Sequence, residues 1–413
     1  MAEKKIMEVN EASVNYQISS SSLCPKGYKQ TEVGLVSDDW DVKPFSQVAW
    51  FQEGPGLRNW QFTKQGMKVI NVTNLENGVL NLERTDRYIT FEEFEKTYKH
   101  FAIDSDDIVI ASSGNSYCKI SVVRSCDLPL LMNTSVIRFK PINGFEYGFL
   151  LAYLKSYFFK NQIDLMITGG AQPNFGPYHL RRVFLPVPPD KEQRAIAEAL
   201  SDVDALIASL EKLITKKRAI KTATMQQLLT GKKRLPGFGG EWKAKRLGDI
   251  CQMKSGEGIT SANIDEYSEF PCFGGNGLRG YSKRYTHNGS YALIGRQGAL
   301  CGNIVNVDGR FFASEHAIVV TPEKETDIQW LSRVLTRMNL NQYTESSAQP
   351  GLSISKLLVL ECIVPSHAEQ TAIATILADM DADISALKTR CDKTQEIKQG
   401  MMQELLTGRT RLI

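Results

Sequence analysis

Two stretches of the chain carry the same spacing of apolar residues. In each stretch the apolar side chains are separated alternately by four and three residues, which keeps them on one narrow stripe of a helix. The stripes are Ile196, Leu200, Val203, Ile207, Leu210 and Ile214, and then Ile373, Leu377, Met380, Ile384 and Leu387. Proline precedes each stretch, and Gly231 or Gly408 follows it. The pattern predicts two long helices that pack on each other as a coiled coil.

The two stretches are also copies of one sequence. Residues 188–235 and 365–412 align without a gap, and about half of the aligned positions are identical. Both copies begin with Pro-x-x-x-Glu-Gln and end with Leu-Leu-Thr-Gly. An internal repeat of this size predicts that one structural unit occurs twice in the chain.

Short runs of β-branched residues precede each copy and predict strand-rich α+β domains. The predicted strands lie within 68–75, 106–114, 119–124 and 133–141, and within 290–295, 302–307 and 315–322; helices are predicted over 146–163 and 327–340. The predicted organisation is a first domain over 1–187, a spacer helix over 188–234, a second domain over 235–364 and a second spacer helix over 365–413.

The two domains share short sequence motifs at their beginnings and ends. Trp40 and Trp242 each follow an acidic residue and precede alternating basic and apolar residues, as at the entry of a domain. Ala171-Gln172-Pro173 and Ala348-Gln349-Pro350 lie at the same distance before their helices. Between these marks the sequences diverge, which suggests two similar tasks with different targets. Residues 27–31 are interpreted as a tether.

Composition places the chain among globular proteins. It has 413 residues, 42% hydrophobic and 23% charged, and its net charge of +3 neither requires nor excludes a nucleic-acid partner. Residues 1–13 lack the apolar core of a secretory signal, and no apolar run reaches the length of a membrane span. The eight cysteines show no CxxC spacing. We therefore expect a cytoplasmic protein without membrane contact, disulfides or a metal site.

The repeat resembles a known family. Pro-x-x-x-Glu-Gln, a heptad helix and Leu-Leu-Thr-Gly, present twice after two dissimilar domains, are similar to the specificity (S) subunit of type I restriction-modification systems. The resemblance extends over the whole chain, including GYKQTEVG at 27–34 and the entries at Trp40 and Trp242. It implies an α+β fold in which two target recognition domains are joined by two long helices, packed as an antiparallel coiled coil in a pseudo-two-fold repeat.

The same resemblance implies the partners. In that family each recognition domain reads one half of a split site in double-stranded DNA, and the coiled coil fixes the gap between the halves. Two methyltransferase (M) subunits bring S-adenosylmethionine and the adenine-N6 chemistry, and restriction and motor (R) subunits join for cleavage. ATP and Mg are therefore expected on partner subunits, and no cofactor on this chain. The residues expected to bind partners are Glu192, Gln193, Leu228, Leu229, Glu369, Gln370, Leu405 and Leu406.

The second domain contains the clearest candidates for contact with DNA. Residues 275–280 satisfy GxGxxG, but residues 281–290 predict a loop or hairpin instead of the helix that a dinucleotide site needs. Cations beside this loop suit a DNA backbone, and Arg reads guanine while Gln or Asn reads adenine. The candidates are Asn276, Arg279, Lys283, Arg284, Arg296, Gln297 and Asn303. Ordinary polar residues at turns remain the alternative.

The first domain offers similar residues in glycine-rich or polar loops. Arg58, Asn115 and Asn133 lie where a loop could approach base edges, and Lys119, Arg124 and Arg138 could neutralise phosphates. A solvated surface is the competing interpretation of these charges.

No catalytic constellation is predicted. The five histidines lie far apart, and Glu315-His316, expected inside a strand, is interpreted as a satisfied polar pair. We expect a non-catalytic subunit. The rival interpretation is a coiled-coil scaffold with two heads that bind proteins or carbohydrate; a nucleotide-dependent enzyme would rest on the GxGxxG match alone.

Overall fold

The computed structural model describes residues 24–76, 78–167, 173–298, 300–344 and 351–412. The start of the chain at 1–13 and the predicted match of Ala171-Gln172 to residues 348–350 lie outside the described residues. The chain forms two compact units: a first unit of residues 1–207 and 393–413, and a second unit of residues 208–392. Each unit thus contains one globular domain, the beginning of one long helix and the end of the other.

The first unit is rich in short strands, bounded by turns with Gly, Asn and Asp. Its strands are β1 (Tyr28–Thr31), β2 (Gly34–Ser37), β3 (Asp41–Pro44), β4 (Ala49–Glu53), β5 (Met67–Ile70), β6 (Tyr88–Ile89), β7 (Ala102–Ile103), β8 (Ile108–Ala111), β9 (Ile120–Val122), β10 (Leu130–Met132), β11 (Val136–Pro141) and β12 (Phe184–Val187). Its shorter helices are α1 (Phe91–Glu93), α2 (Tyr147–Leu154), α3 (Tyr157–Met166) and α4 (Pro177–Leu180), and the long helix α5 (Asp190–Leu228) begins here.

The second unit continues from the end of α5. Its strands are β13 (Lys243–Arg246), β14 (Cys251–Ser255), β15 (Phe270–Gly274), β16 (Gly277–Ser282), β17 (His287–Asn288), β18 (Tyr291–Gly295), β19 (Ile304–Val307), β20 (Arg310–Ala313), β21 (Ala317–Pro322) and β22 (Glu361–Val364). Its helices are α6 (Leu247–Ile250), α7 (Ile328–Arg337), α8 (Ile354–Leu358) and the long α9 (His367–Leu405), which ends in the first unit.

The two globular domains have the same sheet topology. The first has sheets of order β4-β11-β8-β9 and β6-β5-β10-β7, and the second has β14-β21-β18-β19 and β16-β15-β20-β17. In both domains the only parallel pairing of these described sheets joins equivalent strands, β5 with β10 and β15 with β20. A smaller pair, β3 with β12 and β13 with β22, lies beside the start of each long helix. The repeat therefore includes the domains, although their sequences diverge.

The apolar stripes of the long helices are covered in both units. In the first unit Ile196 and Leu200 join a core with Trp40, Leu405 and Leu406. In the second unit Ile373 and Leu377 are buried with Leu228, Leu229 and Trp330. Every residue of the two predicted stripes is buried or half-buried.

The long helices run antiparallel within each unit. In the second unit Lys217 Nζ is 2.7 Å from Asp383 Oδ2, and Lys221 pairs with Asp381. From the first pair to the second, the residue number of the lysine increases while that of its aspartate partner decreases, as it does between antiparallel helices. In the first unit Lys398 Nζ lies 2.5 Å from Asp204 Oδ1.

Several local predictions were wrong. The helix predicted over 146–163 is two helices. The first, α2, ends at Leu154, and Ser156 caps the second, α3, because its Oγ accepts from Phe159 N at 3.3 Å. The strand predicted over 68–75 ends at Ile70. The predicted tether forms a hairpin, β1 with β2. Glu315-His316 lies in the turn before β21, half-exposed, with the His316 Nε2 atom 3.2 Å from Glu315 Oε1.

Candidate nucleic-acid interface

Three loops of the first domain meet at one end of the β4-β11-β8-β9 sheet. Gly54 N donates to Val136 O at 3.0 Å, and Ser112 N donates to Ser135 O at 2.8 Å. Position 54 requires glycine, because a Cβ there would lie 2.2 Å from Asn133 O. The sheet therefore collects the loops that contain Arg58, Asn115 and Asn133.

The loops of the second domain meet in the same way. Gly256 N donates to Ala317 O at 3.0 Å, and Arg296 N donates to His316 O at 2.9 Å. A Cβ on Gly295 would lie 2.2 Å from Gly275 O, so the turn with Asn276 packs directly beside the segment with Arg296. Structural equivalence thus relates Ser112 to Arg296, a correspondence that the divergent sequences do not reveal.

Burial separates the candidates of the first domain. Arg58 and Asn115 are exposed, and Lys119 is half-buried. Asn133 is 6% exposed, and its Oδ1 accepts from Leu57 N at 3.3 Å and Thr134 N at 2.8 Å. Asn133 therefore holds two loops together, which corrects its prediction as a base-reading residue.

The two arginines predicted to face phosphates have partners inside the domain. Arg138 is 7% exposed, lies 3.4 Å from Asp107 Oδ2 and covers the ring of Trp50, so it is part of the core and not a phosphate contact. Arg124 is exposed, but its Nη2 is 2.7 Å from Asp127 Oδ1, and this hydrogen bond lowers the pKa of Asp127. Contact of Arg124 with DNA would have to compete with that pair.

The second domain places most of its candidates at the surface. Asn276, Arg279, Lys283, Arg284, Gln297 and Asn303 are exposed, and Arg296 is half-buried. Arg296 Nη1 donates to Ser255 Oγ at 2.9 Å, which orients its guanidinium at the end of β14. Arg284 Nη1 lies 3.2 Å from Glu257 Oε2.

The GxGxxG match lies in a β-hairpin. Gly275 and Asn276 form the turn between β15 and β16, and Gly277 has φ +92°. No helix follows in this described segment, as predicted from residues 281–290, so a pyrophosphate would find no helix N-terminus here.

Several polar groups that were not predicted to belong to the interface lie near these loops. The half-exposed pair Glu315 and His316 lies beside Arg296, through the backbone hydrogen bond of that residue. The hydroxyl groups of Ser112 and Ser314 are buried without a hydrogen-bond partner among the described residues. Only the strand pairing brings these residues to the loops, so no local sequence signal could have placed them there.

The residues predicted to bind partner subunits are buried within the chain. Glu192 accepts from Trp40 Nε1 at 3.1 Å and from the Arg411 guanidinium at 2.5 and 2.7 Å. Glu369 does the same with Trp242 Nε1 at 3.1 Å and with Arg234 at 2.6 and 2.7 Å. We name each set of Glu, Trp and Arg an indole clamp. It ties the start of one long helix, the domain entry and the end of the other long helix together.

The neighbouring glutamines complete the attachment. Gln193 Oε1 accepts from Glu146 N at 3.0 Å, and Gln370 Oε1 accepts from Asp327 N at 2.8 Å, which fixes the first turns of α2 and α7. The predicted contact of these motif residues with partners is corrected, because none exposes more than 4% of its surface: Glu192, Gln193, Leu228, Leu229, Glu369, Gln370, Leu405 and Leu406.

Among the residues that the structure describes, no helix is long and apolar enough to cross a membrane. Within the same ranges, no three His, Cys, Asp or Glu side chains are grouped as a metal ion would require.

The repeated architecture defines a protein with two similar heads, each attached to a pair of long helices, and comparison with known sequences gives the family. The family described as "Type I restriction modification DNA specificity domain" matches residues 37–221 and 239–399. These matches cover more than half of the chain. The chain belongs to the family of type I restriction-modification specificity subunits.

Individual relatives agree with this assignment. The type I restriction enzyme EcoprrI specificity subunit of Escherichia coli is 47% identical over 161 residues, 37% of this chain and 40% of that protein. The MjaVIII specificity subunit of Methanocaldococcus jannaschii is 28% identical over 214 residues, 51% of this chain and 50% of that protein. The chain thus spans half or less of the length of these curated relatives.

Solved structures share the fold. The S subunit from M. genitalium has a TM-score of 0.59 at 18% identity, over 89% of this chain and 96% of that chain. A chain from a study of complex assembly and conformational transition of the type I R-M system has a TM-score of 0.56 at 16% identity, over 91% of this chain and 99% of that chain. At these identities the likeness is one of fold.

Proposed function

We propose that the chain reads a bipartite, gapped site in double-stranded DNA and directs partner methyltransferase and restriction subunits to it. Each globular domain reads one half-site, and the long helices set the gap between the halves. The observation that carries the proposal is the repeated loop cluster, because each domain gathers polar loops at the same end of the same sheet. Membership in the specificity family supports this interpretation.

The exposed side chains have the chemistry that base reading needs. In the second domain Arg296 and Gln297 are consecutive, and bidentate hydrogen bonds from Arg to guanine and from Gln to adenine carry direct readout in the major groove. Arg279, Lys283 and Arg284 supply positive charge for phosphates. In the first domain Arg58 and Asn115 take the corresponding roles.

The chemistry belongs to the partners in this proposal. The chain itself is non-catalytic, S-adenosylmethionine is bound by two M subunits, and ATP and Mg are bound by the M–R assembly. Since the repeated motif residues are buried within the chain, the M subunits dock on the exposed faces of the repeated helices. Similar faces on two repeats would suit two identical subunits.

Mapping of methylated adenines tests the function. We would co-express the chain with its methyltransferase subunit and sequence the host DNA for modified adenines. A bipartite motif with a fixed gap, absent without this chain, supports the proposal. Complex formation without motif-specific methylation would instead favour a scaffold whose two heads bind proteins or carbohydrate.

A double substitution tests whether each domain recognises its own half-site independently. Replacing Arg296 and Gln297 by Ala should relax or abolish only the half-site of the second domain, because both residues lie in that domain. Loss of both half-sites, with the complex still assembled, would contradict separate reading.

A further inference from the structure

One loop of the first domain presents a tryptophan to solvent. Trp60 is 81% exposed and lies in the 54–66 loop, which connects β4 with β5. Exposure of an indole is costly, because a large apolar surface stays in water. Among the described large apolar residues only Tyr267, at 90%, is more exposed, and it lies in the equivalent loop of the second domain, between β14 and β15.

Both sides of Trp60 are fixed. On one side, Leu57 N donates to Asn133 Oδ1 at 3.3 Å, which ties the loop to the candidate interface. On the other side, Gln61 is 7% exposed, accepts from Arg58 N at 2.8 Å and donates to Tyr98 Oη at 3.0 Å. The short 3-10 helix Asn59–Gln61 therefore holds the indole outward on a rigid base.

The charge of the two loops differs. The 54–66 loop contains Arg58 and Lys64 and no acidic residue. The 256–269 loop around Tyr267 contains Glu257, Asp265, Glu266 and Glu269 and no basic residue. Glu257 is paired with Arg284 at 3.2 Å, but the other three carboxylates keep the second loop acidic. The first loop therefore attracts a polyanion more strongly than the second, and the two exposed aromatic residues have different expected partners.

We propose that Trp60 is a DNA-contacting residue of the first half-site, whose indole packs against a base step as an apolar wedge while Arg58 neutralises an adjacent phosphate. The inference rests on the proposed DNA-reading function and adds a residue to it. Aromatic and apolar wedges partly unstack a step and gain contact area in return. The contact supplies binding energy and shape-dependent selectivity without hydrogen bonds to the bases.

The test uses the assembled S–M complex and DNA with the mapped site, with affinity followed by fluorescence anisotropy. Trp60→Ala should weaken binding about 5- to 150-fold, the range that corresponds to about 1–3 kcal/mol for loss of one stacking contact. Its slope of log affinity against log salt should match the wild type, because the indole is uncharged; Arg58→Ala should reduce that slope by about one. Trp60→Phe should retain most of the affinity.

Tyr267→Ala is the matched control, since it removes an equally exposed ring from the equivalent, acidic loop. Its affinity for DNA should stay unchanged. Assembly with the M subunit, measured without DNA, should be normal for both variants. An unchanged affinity of Trp60→Ala, an equal loss in Tyr267→Ala, or a loss of M binding in Trp60→Ala would each overturn the inference. A wild-type complex that binds no specific site would instead refute the proposed function.

Discussion

Glu192 and Glu369 are identical in the two repeats because each accepts hydrogen bonds from one buried indole and one guanidinium. The family resemblance implied that these residues bind partner subunits. Charged residues are rarely fully buried, so their burial is unusual for their residue type. Their burial follows from Trp40, Trp242, Arg411 and Arg234, and these residues come together only in the folded units.

The indole clamp of the first unit predicts a large effect of Arg411→Leu. Glu192 is fully buried, so loss of the guanidinium leaves a buried carboxylate without its ionic partner, at a cost of about 3 kcal/mol or more. Urea denaturation measures the loss. Arg409→Leu is the control, because the side chain of Arg409 forms an exposed pair with Glu404 at 3.8 Å, worth less than about 1 kcal/mol. Equal losses in the two variants would contradict the role of the clamp.

The lowered pKa of Lys155 predicts that the stability of the protein depends on pH. Burial lowers its pKa below the ordinary 10.5, with Asp204 Oδ2 at 3.7 Å and Lys398 nearby. The unfolded chain then binds the proton more tightly than the folded chain, so the stability contributed by this group rises as pH increases towards 10.5. Lys155→Met should therefore reduce the rise of stability between pH 7 and pH 10.

The urea midpoints of the wild type and of Lys155→Met, measured at pH 7 and pH 10, give the stability difference at each pH. Lys160→Met is the control, because Lys160 is half-exposed and pairs with Asp164 on the same helix. A difference between wild type and Lys155→Met that is the same at both pH values would exclude Lys155 as the titrating group.

At the scale of elements, the apolar stripes predicted the long helices well, because a period of three and four residues continues for many turns. The spacers predicted over 188–234 and 365–413 enclose the observed α5 and α9. The short elements were harder. Residues 147–159 are mostly apolar, and one serine cap outweighs helix propensity and divides the segment at Ser156.

The glycines that end the long helices give a matched prediction. Gly231 and Gly408 have φ +68° and +71°, so alanine at either position costs about 1–2 kcal/mol of backbone strain. At Gly408 a Cβ would also lie 2.8 Å from Ser37 Cβ, whereas at Gly231 the nearest atom is 3.4 Å away. Gly408→Ala should therefore destabilise the protein more than Gly231→Ala in urea denaturation. Equal effects would show that the tail moves to accommodate the methyl group.

At the scale of the molecule, the sequence predicted two α+β domains but not their common topology. The equivalence of β8 with β18 and of β11 with β21 depends on strand pairing, and pairing is defined by contacts far apart in sequence. The candidate interface shows the same limit. Exposed Arg and Gln residues could be predicted from residue type, whereas the burial of Asn133 and Arg138 could not.

The proposed role of the long helices as a spacer predicts the effect of lengthening both of them. Each helix has 39 residues, and the two run antiparallel. An insertion after Ala208 alone lengthens α5 but not α9, and so opposes the pairing of the stripes. We expect one heptad inserted after Ala208 together with one after Asp392 to keep the stripes in register. Seven residues add about 10 Å of helix, close to three base pairs of B-DNA.

Methylation mapping of this double insertion should show a longer gap between unchanged half-sites, because no residue of either recognition domain is altered. The single insertion after Ala208 is the control, and we expect it to lower the urea midpoint and reduce methylation of the original motif. A wild-type gap in a stably folded double insertion would show that the helices do not set the spacing. The gap would then depend on how each domain binds and bends its own half-site, and not on the length of the helices.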